Sequence, residues 1–233
     1  MSAGVERRVA LVSGASRGIG AAVALRLQRE GWALSLGMRE PALPKGVDDA
    51  AHIFSHDCLK ADEAVWAAAA QERFGRIDAV ICCAGVMTPK SVIEVEDEAL
   101  DQMWEVNVKS PRRLIRAAWP QICESGRGRV VLLASLSGKR VKSEASGAYA
   151  MTKHAVMALN HGVRQAGWRH GVRATAVCPG FVATDMARAI TDFPEARMTQ
   201  AEDVARLVSL ALETPNEACV AELHVSCQLE ELF

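Results

Sequence analysis

Ser13-Gly14-Ala15-Ser16-Arg17-Gly18-Ile19-Gly20 is the stretch on which the fold turns. Before it runs Arg8-Val-Ala-Leu-Val-Ser13, short, apolar and bounded like a buried strand. After it, residues 18–30 carry apolar side chains at helical spacing and stop at Gly31. Glycines at a strand-to-helix turn let the backbone come close to a ligand, and the helix N-terminus attracts an anion. The turn is therefore suited to a pyrophosphate; the plainer alternative is a tight turn with no ligand.

The same alternation continues outward. Short apolar runs at 33–36, 52–56, 77–84, 129–134, 172–178 and 219–225 predict strands. Helical patterns fill 62–74, 98–123 with a bend near Pro111, and 147–168, and Thr199-Gln-Ala-Glu202 reads as a capping box opening a helix to about Glu213. Strands that are continuously apolar and alternate with helices predict a doubly wound parallel α/β sheet with helices on both faces. No repeat or linker divides the chain, so residues 1–233 read as a single domain.

Composition narrows the function classes. Net charge is −1, which implies neither a nucleic-acid nor an anionic-membrane partner. The start, Met1 to Arg8, is polar, and no run approaches the roughly 18 apolar residues of a membrane span, so a cytoplasmic protein is expected. The seven cysteines form no Cys-x-x-Cys pair and read as reduced, buried thiols. His154 and His161 can share a helix face, but two histidines do not make a metal site, and no metal is expected.

The chain's one tyrosine, Tyr149, stands four residues before Lys153. On a helix that spacing puts both on one face, one turn apart. A fixed ammonium favours the phenolate and would pull the phenol's pKa below its ordinary value of about 10. A packed ring beside a solvated amine is the alternative.

Taken in order, these segments resemble the short-chain dehydrogenase/reductase family. The spacing Gly-x-x-x-Gly-x-Gly is that family's, with Ser13 in place of its threonine. Cys82-Cys83-Ala84-Gly85 stands where Asn-Asn-Ala-Gly is usual. Asn107 lies in Val106-Asn-Val-Lys-Ser110, Ser135 in Leu133-Ala-Ser-Leu-Ser-Gly138, and Tyr149-Ala-Met-Thr-Lys153 matches Tyr-x-x-x-Lys. Pro179-Gly180-Phe-Val-Ala-Thr184 matches the segment flanking the nicotinamide. The resemblance implies a Rossmann fold of about seven strands in the order 3-2-1-4-5-6-7. It implies hydride transfer between a nicotinamide and a carbonyl or alcohol, with Tyr149 as general acid and base. Lys153 would lower the phenol's pKa and hold the nicotinamide ribose. Ser135, with Ser137 as its rival, would polarise the substrate oxygen. Asn107 would hold a water linking Lys153 to solvent. Cofactor contacts are expected from Gly14, Ser16, Arg17, Gly18, Ile19, Gly20, Arg39, Asp57, Cys58, Ala84, Gly85, Asn107, Tyr149, Lys153, Pro179, Gly180, Val182 and Thr184. The cysteine pair puts local sheet order in doubt, because cysteine cannot reproduce the asparagines' hydrogen bonds.

The second strand ends Leu36-Gly-Met-Arg-Glu40, with Met38 where NAD-using members carry an acid. Arg39 and Arg17 can meet a 2′-phosphate, so NADP(H) is favoured over NAD(H); Glu40 is the counter-evidence. The short segment 181–199 should cover a small or medium substrate, with Met87, Leu136, Phe181, Met186 and Phe193 as an apolar lining that suits an uncharged carbonyl. Lys139-Arg-Val-Lys142 reads as a solvated basic loop or, alternatively, a receiver for an anionic group. The helices 98–123 and 147–168 resemble the family's dimer-forming pair, implying a homodimer or homotetramer. Competing readings are a non-catalytic NADP-binding sensor, a fatty-acid-type 3-oxoacyl reductase, and a sugar-nucleotide epimerase or dehydratase, which usually needs a larger C-terminal region.

Overall fold

A computed structural model describes residues 7–229; most of the polar start and the end of the Val225–Phe233 stretch lie outside them. The strands are β1 (Val9–Ser13), β2 (Ala33–Met38), β3 (His52–Ser55), β4 (Ala79–Cys82), β5 (Arg129–Leu133), β6 (Arg173–Pro179) and β7 (Glu222–Val225). The helices are α1 (Gly18–Arg29), α2 (Glu63–Phe74), α3 (Asp97–Trp104), α4 (Ser110–Glu124), α5 (Gly147–Gly167), α6 (Asp185–Arg188) and α7 (Ala201–Glu213). All seven strands pair in parallel in one sheet, in the order β3-β2-β1-β4-β5-β6-β7.

The apolar runs are continuous because both faces of the sheet are covered. In β1, Val9 and Leu11 pack toward Trp66 of α2 and Leu114 of α4, with Val156 of α5 in the same layer. Ala10 and Val12, on the other face, pack in the layer of Val23 and Leu27 of α1 and Val204 and Leu212 of α7. Val130 and Leu132 of β5 divide from Val131 and Leu133 in the same way. Gly37 is needed for one of these contacts: a Cβ there would stand 2.5 Å from the Trp66 ring. Among the described residues no helix is long and apolar enough to cross a membrane.

Two local expectations are corrected. The helix expected over 98–123 is two α-helices joined by a π-helical turn, Glu105–Lys109. Pro111, near the start of α4, has no N–H to give the Asn107 carbonyl four residues back, so the ladder changes there and does not simply bend. The capping box of α7 lies one residue later than read. Asp203 Oδ2 accepts from the Gln200 amide at 3.4 Å, because Thr199 is held in a bridge with Val182, its N–H donating to the Phe181 carbonyl at 3.2 Å.

Candidate active site

The strand order reverses between β1 and β4, and the crevice at their carboxyl ends is where such sheets bind ligands. The glycine turn lies there. Gly14 has φ +65°, and a Cβ on it would meet the Ala84 backbone at 2.7 Å. A Cβ on Gly20 would come within 2.2 Å of the Gly14 carbonyl oxygen. Only glycine lets the turn fold this tightly against Ala84-Gly85. No acidic residue occupies the first turn of α1, and its N-cap, Arg17, makes no side-chain cap bond. Unopposed amides at this helix start suit a pyrophosphate, so the turn fits the dinucleotide that the sequence implies. Ser16 and Arg17 are exposed at its rim, and Ile19 lines the adjoining cavity.

That cavity, of about 250 Å³, gathers three of the four expected catalytic residues, Ser135, Tyr149 and Lys153, while Asn107 is not in its wall. Tyr149 and Lys153 come from the first turns of α5, Ser135 from the residues just past β5, and all three line the cavity. Burial pushes the Tyr149 phenol above its ordinary value, and a hydrogen bond with Ser135 opposes this more weakly. Ser137 also lines the cavity, and its amide donates to Ser135 Oγ at 3.1 Å. The Ser135 hydroxyl itself donates to the Pro179 carbonyl at 3.4 Å. The Lys153 ammonium donates to the Leu133 carbonyl at 2.7 Å and stands 5.5 Å from the Tyr149 ring centre. Burial lowers its pKa to about 8, against weaker opposing effects from Cys178 and Cys83. The sequence led us to expect a phenol shifted downward by Lys153; here desolvation is the larger effect and the shift is upward.

Asn107 is buried in the π-helical turn. Its Nδ2 donates to the Val86 carbonyl at 2.9 Å and to Thr152 Oγ1 at 3.0 Å. Its Oδ1 accepts from the Val86 amide at 2.9 Å. Both amide protons are thus used in fixing the β4 loop to α5. Thr152, three residues beyond Tyr149, was not singled out in the sequence; its position on the Tyr149 face was the available signal.

At the outer end of the crevice, Met38 is buried and Arg39 exposed. Asp57 is half-buried, its Oδ1 accepting from the Leu59 amide at 3.1 Å. Cys58 is buried, with Sγ 3.6 Å from His56 Nε2. Its carbonyl accepts from Arg113 at 2.8 Å, and Arg113 also pairs with Glu63 at 2.7 Å and with Glu105 at the start of the π turn. Nothing in the sequence pattern pointed to Arg113, since its partners lie on three separate elements. Arg17 pairs with Asp185 of α6 at 2.8 Å.

Pro179, Gly180, Val182 and Thr184 all line the cavity, as do Cys83 and Gly85; Ala84 sits against the glycine turn. Cys82 is in the core within β4, paired to β1 and β5, so the sheet is ordered without the asparagines. Burial pushes the Cys83 thiol up to about 12, despite Lys153 nearby. Met87, Leu136, Phe181 and Met186 are in the wall as expected. Phe193 is not; it stacks on Phe181 with ring centres 6.1 Å apart. Arg140, Lys142, Ser146 and Gln228 are also in the wall.

Comparison with known proteins agrees with this geometry. The family model described as "short chain dehydrogenase" matches residues 8–195. An agropine synthesis reductase of Rhizobium rhizogenes is 40% identical over 96% of this chain, and the chain spans about half, 53%, of that protein's length. An uncharacterized oxidoreductase of Staphylococcus epidermidis is 31% identical over 95% of this chain and 97% of its own. The structure of an alcohol dehydrogenase from Thermococcus sibiricus complexed with 5-hydroxy-NADP superposes with TM-score 0.80 at 28% identity, covering 94% of this chain and 96% of that one. With its sheet order, its glycine turn and these matches over most of its length, the chain belongs to the short chain dehydrogenase family of oxidoreductases.

Proposed function

We propose that the protein interconverts a small or medium carbonyl compound and its alcohol using NADP(H), with Tyr149 as the acid in reduction and the base in oxidation. The observation that carries this reading is the convergence of Tyr149, Ser135 and Lys153 on one cavity bordered by Ile19 of the glycine turn and by Pro179-Gly180. NADP(H), when bound, supplies or accepts the hydride. The rest of the chemistry belongs to the chain's own side chains. A carbonyl oxygen within reach of both hydroxyls accepts a hydrogen bond from Ser135 and another from Tyr149. The phenol's proton passes to that oxygen as negative charge develops on it. The phenol is protonated at neutral pH, and burial raises its pKa further; the charge of Lys153 beside it opposes that cost as the proton leaves. Lys153, tethered at the end of β5, holds positive charge beside the phenol and would bind the ribose on the nicotinamide side. Asn107 keeps the β4 loop and α5 in register.

The preference for NADP(H) is supported by a second strand that ends at Met38, with no carboxylate there and Arg39 directly after it, and by Arg17 at the rim of the turn. Planar guanidiniums suit a 2′-phosphate. Homodimers or homotetramers would form through α4 and α5. The test is a panel of aldehydes, ketones, 3-oxoacyl thioesters and alcohols assayed with NADPH or NADH and their oxidised forms. We expect turnover of some carbonyls, with kcat/KM higher for NADPH. Tight NADPH binding with no turnover across the panel would instead favour the sensor reading, and turnover confined to the thioesters would favour the 3-oxoacyl one.

A further inference from the structure

We propose that the substrate carries a carboxylate apart from its reacting carbonyl, and that Arg140 and Lys142 receive it; this rests on the carbonyl-reducing reading and names its substrate class. The basic run Lys139-Arg-Val-Lys142 divides in the fold. Lys139 turns away and pairs with Glu222 at 2.9 Å. Arg140 and Lys142 border the cavity that holds Tyr149 and Ser135. Arg140 is half-buried, its own amide donating to the Leu136 carbonyl at 3.2 Å. The Lys142 ammonium donates to Gln228 Oε1 at 3.2 Å and lies 5.9 Å from the Phe181 ring centre. With Lys153 they are the charged side chains among the described residues of the wall, and all are cations. Both are also engaged within the protein, so a substrate anion joins or exchanges with those contacts.

The surrounding wall is largely apolar, with Met87, Leu136, Phe181 and Met186. A charge brought into such a cavity is costly unless a counter-charge meets it. Arg140, half-buried, and Lys142, exposed at the cavity's edge, would supply that counter-charge, and a guanidinium fork matches a carboxylate's two oxygens. A molecule anchored there by its carboxylate can direct its carbonyl toward Tyr149. The basic run is thus part of the specificity apparatus, and the uncharged carbonyl suggested by the apolar lining is replaced by an oxo acid.

The experiment measures kcat/KM with NADPH for short-chain oxo acids and for their methyl esters. The acids are expected to exceed the esters by about tenfold or more, the worth of one charge-assisted hydrogen bond. In the double variant R140Q/K142M that ratio should fall about tenfold, while K139Q, which removes a charge from the same loop outside the cavity, keeps it. A second measurement needs no turnover: calorimetric binding of short saturated carboxylates and their primary amides to the NADPH-loaded protein. Carboxylates should bind more tightly, and the difference should vanish in the double variant. Esters turned over as well as acids, a ratio unchanged in the double variant, or amides bound as tightly as carboxylates would each overturn the proposal. Phosphonates bound more tightly than carboxylates would overturn the assignment to carboxylates. If no carbonyl is reduced while the carboxylate preference persists and depends on Arg140 and Lys142, the reductase reading fails and the anion site survives.

Discussion

Tyr149 is the chain's single tyrosine, so any phenol ionisation signal left after the tryptophans are subtracted belongs to it. Desolvation outweighs the Ser135 bond. In the folded protein without nucleotide we therefore expect a spectrophotometric midpoint above the ordinary value of about 10, returning to it in denaturant. A folded-state midpoint below that value would mean that the Lys153 charge dominates. The sequence made the pair legible through its four-residue spacing, but not the sign of the shift, which depends on how deeply the rest of the fold buries the phenol. It favoured Ser135 over Ser137 because Ser135 directly follows the strand, but position alone does not say which hydroxyl meets the phenol. Arg39 is exposed beyond the end of β2, and Arg39→Ala should weaken NADPH binding by about tenfold or more, with NADH affected much less. Equal losses for both nucleotides, measured by fluorescence titration, would count against the phosphate contact.

At the scale of elements, the glycine turn and α5 make contrasting cases. Gly20→Ala puts a Cβ 2.2 Å from the Gly14 carbonyl oxygen, so the turn must open; NADPH binding should be largely lost and the melting temperature lowered. Gly162 lies on the exposed face of α5, and a methyl group added there would meet nothing within 4 Å. Gly162→Ala should therefore stabilise the protein by about 1 kcal/mol, the ordinary helix-propensity gain, in denaturant unfolding. The strands and most helix spans were legible from apolar runs and their glycine stops. The π turn was not. Pro111 signalled a disturbance, but its form depends on Asn107 being fixed to Val86 and Thr152 from outside the helix. The cap of α7 was misread because Thr199 and Gln200 both precede an acid three residues on, and only the bridge from Val182 to Thr199 decides between them.

Across the whole molecule, the alternation of continuous apolar strands with helices carried the sheet class. The long-range pairs did not show in the sequence, because no spacing relates their members: Arg113 with Glu63, Lys139 with Glu222. Glu222 ties β7 to α5 and to the loop after β5. Burial opposes its ionisation, but bonds from Lys139, His161 and His224 hold its carboxyl down at about 2. The folded value lies below the unfolded one of about 4.3, so this stabilisation is present above that pH and is lost as pH falls toward the folded value. Acid unfolding followed by circular dichroism should accordingly be less pH-dependent over that window in Glu222→Gln than in the parent; identical profiles would remove Glu222 from the account. The central claim concerns the whole active protein: one phenol delivers the proton at a carbonyl. It is tested most directly by comparing kcat for carbonyl reduction and the Kd for NADPH in the parent and in Tyr149→Phe. We expect kcat to fall by about 10² to 10⁴-fold, the usual contribution of a positioned acid, with the Kd little changed; turnover that persists in Tyr149→Phe at near the parent rate would contradict it.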